Sequence, residues 1–253
     1  MNQESAGSSW NSSQLWVSFV FQILTWYSLL LVTSKTSAKQ ELPLKEQAYL
    51  HIKSLVLTEE IPVNSFLSER SLAEQLGMSK TPVRLAIERL EHEGFVRVSP
   101  QQGIVVVALS FEEILDFIEY RLALECFVVE RIAGNLLEPQ IKALQNQLKE
   151  QAQIIGQKSS KREDLVLADM AFHRLLAEFK GNKQISQALE RQQDMLFRVA
   201  NRIYQKHPTR TETSHNEHEA IAQAIIEGKK DEATRLIKEH IQKIKSLLIG
   251  SNA

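Results

Sequence analysis

The stretch Leu67–Val107 constrains the fold more than any other part of the chain, because helix and turn signals follow one another there at short spacings. Ser68 carries a hydroxyl that can cap a helix start, and Gly77 suits the left-handed position that ends a helix. A second helix is predicted to begin after Ser79, with Pro82 in its first turn, where a missing N–H costs nothing. Two short helices joined by a tight turn are therefore predicted.

The second of these helices has one apolar face and one polar face. Val83, Ile87 and Leu90 recur at i, i+4 and i+7, the spacing of a stripe that packs on a core. The residues beside that stripe, near the start of the helix, are Lys80, Thr81 and Arg84.

A hairpin is predicted directly after this helix. Two runs of β-branched and aromatic residues, Phe95–Val98 and Ile104–Val107, flank the turn-forming sequence Ser-Pro-Gln-Gln-Gly. An apolar stripe over Leu44–Leu57 predicts one further helix before the pair. Three helices followed by a hairpin wing form a winged helix-turn-helix, whose last helix enters the DNA major groove in proteins that bind DNA.

A winged helix can also bind another protein, with its basic residues simply solvated. The net charge of the chain, −1, does not favour a polyanionic partner. The prediction of DNA binding rests instead on the position of Lys80 and Arg84 on the groove-facing side of the helix.

The chain reads as helical from Ser110 almost to its end. Ser110 and Glu113 have the spacing of a capping box, which opens a new helix, and Ser214 and Glu217 have the same spacing further along the chain. The fold class predicted is mostly α, with a winged helix-turn-helix over 42–109 and an all-helical bundle of about six helices over 110–250. The predicted helices of the bundle are Phe111–Asn135, Pro139–Gly156, Glu163–Lys180, Gln184–Gln205, Ser214–Glu227 and Lys230–Ile249.

Residues 1–40 form an N-terminal extension that fits neither domain. Its segment 15–32 is uncharged over eighteen residues, long enough for a membrane-spanning helix. Three interpretations are open: a membrane anchor, an additional interaction helix, or a translation start assigned too early. We favour the last, because the first recognisable domain begins only at about Leu44.

One carboxylate and three imidazoles could bind a metal ion in the helical domain. Asp169 and His173 are four residues apart and so share one face of a helix. With His218 and His240 they would suit zinc, nickel or manganese. The alternative is that these histidines only pack or face solvent, as most helical histidines do. The single cysteine, Cys126, excludes a disulfide framework and a thiolate metal site.

The first domain resembles the winged helix of GntR-family bacterial transcription regulators. The words SERSLAEQLGMSKTPVR and LEHEGFV, then a proline and Gly103, carry this resemblance over roughly 44–107. Leu85 departs from it, because the family usually has an acidic or small polar residue there. The resemblance implies DNA contacts at Arg70, Lys80, Thr81, Arg84, Gln102 and Gly103.

The second domain resembles the FCD effector domain of FadR-like GntR regulators. The words RLALE, DMAFHRLL, GN and SHNEHEAIAQAI and a late histidine carry this resemblance over most of 111–248. It implies a divalent metal ion on Asp169, His173, His218 and His240, with His215 as a neighbouring substitute. It also implies a small carboxylate effector bound by Arg121, with Arg198 and Asn201 as further candidates. An internal salt bridge to Glu125 is the alternative role for Arg121.

Together the resemblances imply a cytoplasmic bacterial regulator and not an enzyme. A homodimer would bind a palindromic operator in double-stranded DNA, as a repressor that its effector releases. The alternatives are a metal-free regulator that responds to acyl-CoA, a metal-dependent hydrolase and a regulator tethered to a membrane through segment 15–32.

Overall fold

The computed structural model of the chain describes residues 42–99 and 103–249. Segment 15–32 and Gln102, both discussed above, lie outside these residues. The chain divides into two compact units, the first ending at Ala108 and the second beginning at Leu109. Among the described residues, no helix is both long enough and apolar enough to cross a membrane.

The first unit is a winged helix-turn-helix, as predicted. The strands of its small antiparallel sheet lie in the order β1 (Phe66–Leu67), β3 (Gly103–Val106) and β2 (Val96–Ser99). The two-residue β1, which pairs with β3 through Leu67 and Ile104, was not predicted, because so short a strand has no pattern of its own. The elements are α1 (Leu44–Leu57), β1 (Phe66–Leu67), α2 (Glu69–Leu76), α3 (Lys80–His92), β2 (Val96–Ser99) and β3 (Gly103–Val106).

The predicted apolar stripe of α3 forms the core of this unit. Val83, Ile87 and Leu90 are all buried, and α3 packs on α1. Ser68 caps α2 by accepting a hydrogen bond from the Ser71 backbone N–H at 3.0 Å. Ser79 precedes α3 with an extended backbone, but its hydroxyl makes no capping hydrogen bond. The local signals therefore fix α2 and α3 against a shared core.

The second unit consists of helices throughout its described residues. The predicted single helix over 184–205 is two helices, because a turn at Arg191 and Gln192 separates them without any glycine or proline. The elements are α4 (Phe111–Ile132), α5 (Glu138–Gly156), α6 (Arg162–Lys180), α7 (Lys183–Glu190), α8 (Gln193–Lys206), α9 (Arg210–Ile226) and α10 (Lys230–Ile249).

Of the two capping boxes suggested by the second domain, one is correct. The Ser110 hydroxyl accepts from the Glu113 N–H at 3.1 Å, and the Glu113 carboxylate accepts from the Ser110 N–H at 2.7 Å. The predicted cap at Ser214 is wrong, because α9 already begins at Arg210. Ser214 is buried within the helix, and its hydroxyl donates to Asp169.

The helices of the bundle bring distant parts of the sequence together. Helix α4 packs on α6 and α10, while α5 packs on α6 and α9. Helix α9 also packs on α10. Side chains that face inward from α4, α5, α6, α9 and α10 can therefore meet in the centre of this unit.

Candidate metal centre and recognition helix

The four predicted metal ligands lie together in the centre of the helical unit. Helix α6 carries Asp169 and His173, α9 carries His218, and α10 carries His240. All four side chains are buried. One possible ligand atom from each lies within 4.8 Å of those from the other three.

The Nε2 atoms of the three histidines face one another and the carboxylate. His240 Nε2 is 3.2 Å from His173 Nε2. His218 Nε2 is 3.6 Å from Asp169 Oδ1, and His173 Nε2 is 3.9 Å from Asp169 Oδ2. Three imidazole nitrogens and carboxylate oxygens therefore border one small volume.

Two unpredicted hydroxyls orient the Asp169 carboxylate. Tyr204 donates to Oδ1 at 2.8 Å, and Ser214 donates to the same oxygen at 2.6 Å. Burial alone would raise the pKa of Asp169, but its contacts, among them the hydrogen bond donated by Ser214, hold it below its usual range. The carboxylate is therefore ionised at neutral pH. The sequence did not indicate a role for either hydroxyl near Asp169. The pattern around Ser214 is that of a helix cap, and Tyr204 looks like an ordinary core residue.

The electrostatics of the histidines also favour metal binding. Burial lowers the pKa of His218 well below its usual value and that of His240 to about 4. Both rings are therefore neutral at pH 7, and a neutral imidazole is the form that binds a metal ion.

The residues present fit a divalent ion. The His218 Nε2 is buried and has no hydrogen-bond partner within the described ranges. A buried polar atom without a partner is costly, and coordination to a metal ion would remove that cost. Three imidazoles with one carboxylate match the ligand preferences of zinc, nickel and manganese.

Arg121 lies beside this cluster and is only 2% exposed. Its Nε donates to Glu125 Oε1 at 2.6 Å, so the internal salt bridge considered above is present. Burial would raise the pKa of Glu125, but Arg121 and His173 lower it to about 2. The Arg121 Nη2 is buried and has no hydrogen-bond partner among residues 42–99 and 103–249. The salt bridge therefore leaves one buried donor of Arg121 available for a ligand.

The other two predicted effector residues lie on α8. Asn201 is buried and accepts from Arg162 Nε at 2.7 Å. It precedes Tyr204 by three residues and so shares the face of α8 that carries the hydroxyl to Asp169. Arg198 is half-buried and interacts electrostatically with Glu113 in the first turn of α4. Glu113 precedes Arg121 by two helical turns, so Arg198 interacts with a different part of α4 from the one that carries Arg121.

Glutamates contact two of the predicted DNA-binding arginines in the first unit. Arg84 contacts the Glu69 carboxylate through Nε and Nη2 at 3.1–3.3 Å, and Arg70 contacts Glu74 at 2.8 Å. Both arginines are exposed, so these surface pairs are weak and exchangeable. The other two predicted contact residues on α3, Lys80 and Thr81, are exposed as well.

Gly103 has a structural requirement besides its predicted DNA contact. It begins β3 with a φ of +90°, and a Cβ added there would lie 2.5 Å from the Leu67 carbonyl oxygen. A side chain at this position would separate β1 from β3. Packing alone therefore explains the glycine, and its contact with DNA stays a prediction.

Comparison with known proteins decides the family. A model described as "Bacterial regulatory proteins, gntR family" matches residues 44–106, and a model of the FCD domain matches residues 116–243. The chain belongs to the GntR family of bacterial transcription regulators. Its second domain is an FCD domain, so both domains belong to DNA-binding regulators and not to enzymes.

Relatives and a solved structure agree with this assignment. The chain is 24% identical over 196 residues to the uncharacterized regulator YdhC of Bacillus subtilis. The aligned region covers 77% of this chain and 86% of the relative. It is 25% identical over 213 residues to the repressor RspR of Escherichia coli, with coverage of 84% and 92%. The structure of E. coli McbR/YncC shares the fold, with a TM-score of 0.66, 20% identity and coverage of 84% and 100%.

Proposed function

We propose that this GntR regulator holds a divalent metal ion on Asp169, His173, His218 and His240 and binds a small carboxylate effector beside it. The observation that carries the proposal is the convergence of four buried ligand atoms within 4.8 Å. The Nε2 of His218 supports it, because this atom is buried and no described residue forms a hydrogen bond with it.

Each residue of the site has a distinct role in this proposal. When bound, the ion supplies a Lewis acid that attracts an anionic ligand. Arg121 offers its buried Nη2 to a carboxylate, with the charge-assisted hydrogen bond that arginine makes best. Asn201 and Arg198 are further candidates on α8, of which Asn201 shares the helix face of Tyr204, the residue that donates to Asp169. A carboxylate effector is favoured because the buried donor available to a ligand is cationic.

The regulator would act as a two-state switch. A homodimer would bring two winged helices to a palindromic operator, and the helical domain over 110–250 would bind the effector and the second copy. The effector must bind the DNA-competent and incompetent forms with different affinity. We assign the regulator the role of a repressor that its effector releases from DNA. It would act in the bacterial cytoplasm, where the operator is.

At the operator, Lys80, Thr81 and Arg84 of α3 would contact base edges and phosphates. Arg84 would exchange its partly exposed Glu69 partner for DNA, which costs little because surface ion pairs are weak. The remaining contacts would come from Arg70 at the start of α2 and from Gln102 and Gly103 in the wing.

The test is effector-induced release of DNA. A binding site is first recovered from random DNA with the full-length, zinc-loaded protein. Small mono- and dicarboxylates are then titrated against the complex, with the corresponding amides as uncharged controls. We expect a carboxylate to release the DNA and its amide not to. In Arg121→Lys, which keeps the charge but loses the planar fork, about 10–100-fold more carboxylate should be needed.

Two results would contradict this proposal. Release by acyl-CoA, with equal potency in the presence and absence of metal, would favour the metal-free alternative. Equal potency of the carboxylate on the wild type and Arg121→Lys would remove Arg121 from the effector site.

A further inference from the structure

The second nitrogen of each histidine in the cluster contacts an oxygen atom of a side chain. His173 Nδ1 lies 2.6 Å from Glu125 Oε2, and His240 Nδ1 lies 2.7 Å from Glu217 Oε2. His218 Nδ1 lies 3.0 Å from the amide oxygen of Gln151. These three acceptors come from α4, α9 and α5 and are separate from the metal-ligand set.

We propose that Glu125, Gln151 and Glu217 are positioning residues that fix the three histidines with Nε2 towards the metal ion. This inference rests on the metal site proposed above. An ionised carboxylate and an amide oxygen can only accept, so Nδ1 of His173 and of His218 carries the proton of a neutral ring. His240 Nδ1 also lies 3.3 Å from Arg210 Nη2, but its contact with Glu217 is shorter, at 2.7 Å, and favours the same tautomer. Each Nε2 then has a free electron pair, and all three Nε2 atoms face Asp169.

Cations hold the two carboxylates in place. Glu125 accepts from Arg121, while Glu217 accepts from Arg210 Nη2 at 2.7 Å and from Lys243 Nζ at 2.8 Å. The orienting groups are therefore set before any ion binds, which reduces the cost of ordering the ligands.

Glu125 and Glu217 are charged and Gln151 is neutral, so the proposal predicts that they affect metal affinity to different extents. A carboxylate that accepts from the second nitrogen makes a metal-binding histidine more basic, whereas a neutral amide does so less. Glu125 and Glu217 should therefore strengthen binding more than Gln151 does. A glutamate in place of Gln151 would give all three histidines the same type of partner.

The experiment measures metal binding in the full-length protein carrying Glu217→Gln. This variant keeps an oxygen acceptor at a side chain that is 25% exposed, so the fold should tolerate it. Zinc affinity is measured by chelator competition, and the visible spectrum of the cobalt(II) form reports the ligand geometry. Glu239→Gln is the matched control, because Glu239 precedes His240 and pairs only with exposed Arg235 among its described ion pairs.

We expect Glu217→Gln to lower zinc affinity about 10–100-fold and to change the cobalt spectrum, with no effect of Glu239→Gln. Gln151→Glu should raise zinc affinity. Wild-type affinity and spectrum in Glu217→Gln would overturn the positioning role while leaving the metal site intact. Failure of the wild type itself to bind zinc or cobalt would overturn both the metal site and this inference.

A separate observation concerns Leu85 on the recognition helix α3. Leu85 is 46% exposed, and it lies on the face opposite to the buried stripe that contains Val83 and Ile87. Its neighbours on this exposed face are Thr81, one turn earlier, and Arg84. A large apolar side chain therefore stands among the polar residues that face the DNA in the docking geometry of this fold.

We infer that Leu85 reads a thymine in the operator through the C5-methyl group. Within the major groove, that methyl is the apolar group by which a base pair can be distinguished. Contact with Leu85 would remove both apolar surfaces from water. Leu85 would thus add specificity at one base pair beside those contacted by Thr81 and Arg84.

Uracil substitution tests this inference, because it removes only the methyl group. In a DNA site selected with the wild-type protein, each thymine is replaced in turn by uracil. At one position we expect wild-type affinity to fall about 3–5-fold, as for one buried methyl group. Leu85→Ala should bind the thymine and uracil sites equally, whereas Leu137→Ala, which alters an exposed leucine of the helical domain, should behave as wild type. Equal binding of both DNAs by the wild type, or an undiminished uracil effect in Leu85→Ala, would overturn it.

Discussion

Replacing His173 and His240 together by alanine is expected to lower zinc affinity by about a thousand-fold or more. Four-ligand zinc sites bind with an apparent free energy of about 10–16 kcal/mol, so two missing ligands should cost at least about 4 kcal/mol. The measurement is metal content and chelator competition on the full-length protein, repeated with nickel and manganese. Circular dichroism checks that the helices persist.

His51→Ala with His92→Ala is the matched control for this double variant. Both of these histidines are exposed on the winged helix, so the control removes two imidazoles without touching the cluster. The control should bind zinc like the wild type. If the two double variants retained equal amounts of metal, the ligand assignment would be wrong.

Replacing Lys80 and Arg84 together by alanine is expected to lower affinity for a selected operator by about a hundred-fold or more. A good base contact contributes about 1–3 kcal/mol, and a phosphate contact adds a salt-dependent term. Since both side chains are exposed at the start of α3, the fold of the winged helix should not change. Fluorescence anisotropy at several salt concentrations measures the affinity and its salt slope.

Lys142→Ala with Arg235→Ala removes the same charge from the surface of the helical domain. Both side chains are exposed there, so this variant separates a local contact from a general electrostatic effect. It should bind the operator nearly as tightly as the wild type. Equal losses in the two variants would mean that α3 is not the recognition helix.

The winged helix could be predicted because its signals are local. The cap at Ser68, the left-handed Gly77 and the stripe containing Val83 each act within a few residues, and all agree on two helices and a turn. β1 could not be predicted, because its two residues pair only when β3 lies beside them. The break between α7 and α8 at Arg191 could not be predicted either, because no residue there prevents a helix from continuing.

In the helical domain, the evidence for a metal site in the sequence was the type of the candidate ligands and the spacing of one pair of them. Asp169 and His173 share a helix face because they are four residues apart, and this follows from helix geometry alone. Family resemblance, rather than spacing, linked them to His218 and His240. The prediction about Ser214 failed because the motif for a helix cap is the same whether or not the preceding residues are already helical.

The sequence by itself therefore determined the two domain types, the polar face of α3 and the candidate ligands. Only the tertiary structure decided which ring nitrogen faces the other ligands and which residues hold it there. Glu125, Gln151 and Glu217 come from three helices and lie 23 to 67 residues from the histidines that they contact. Such contacts depend on how helices pack and rotate against one another, and no local pattern along the chain records that.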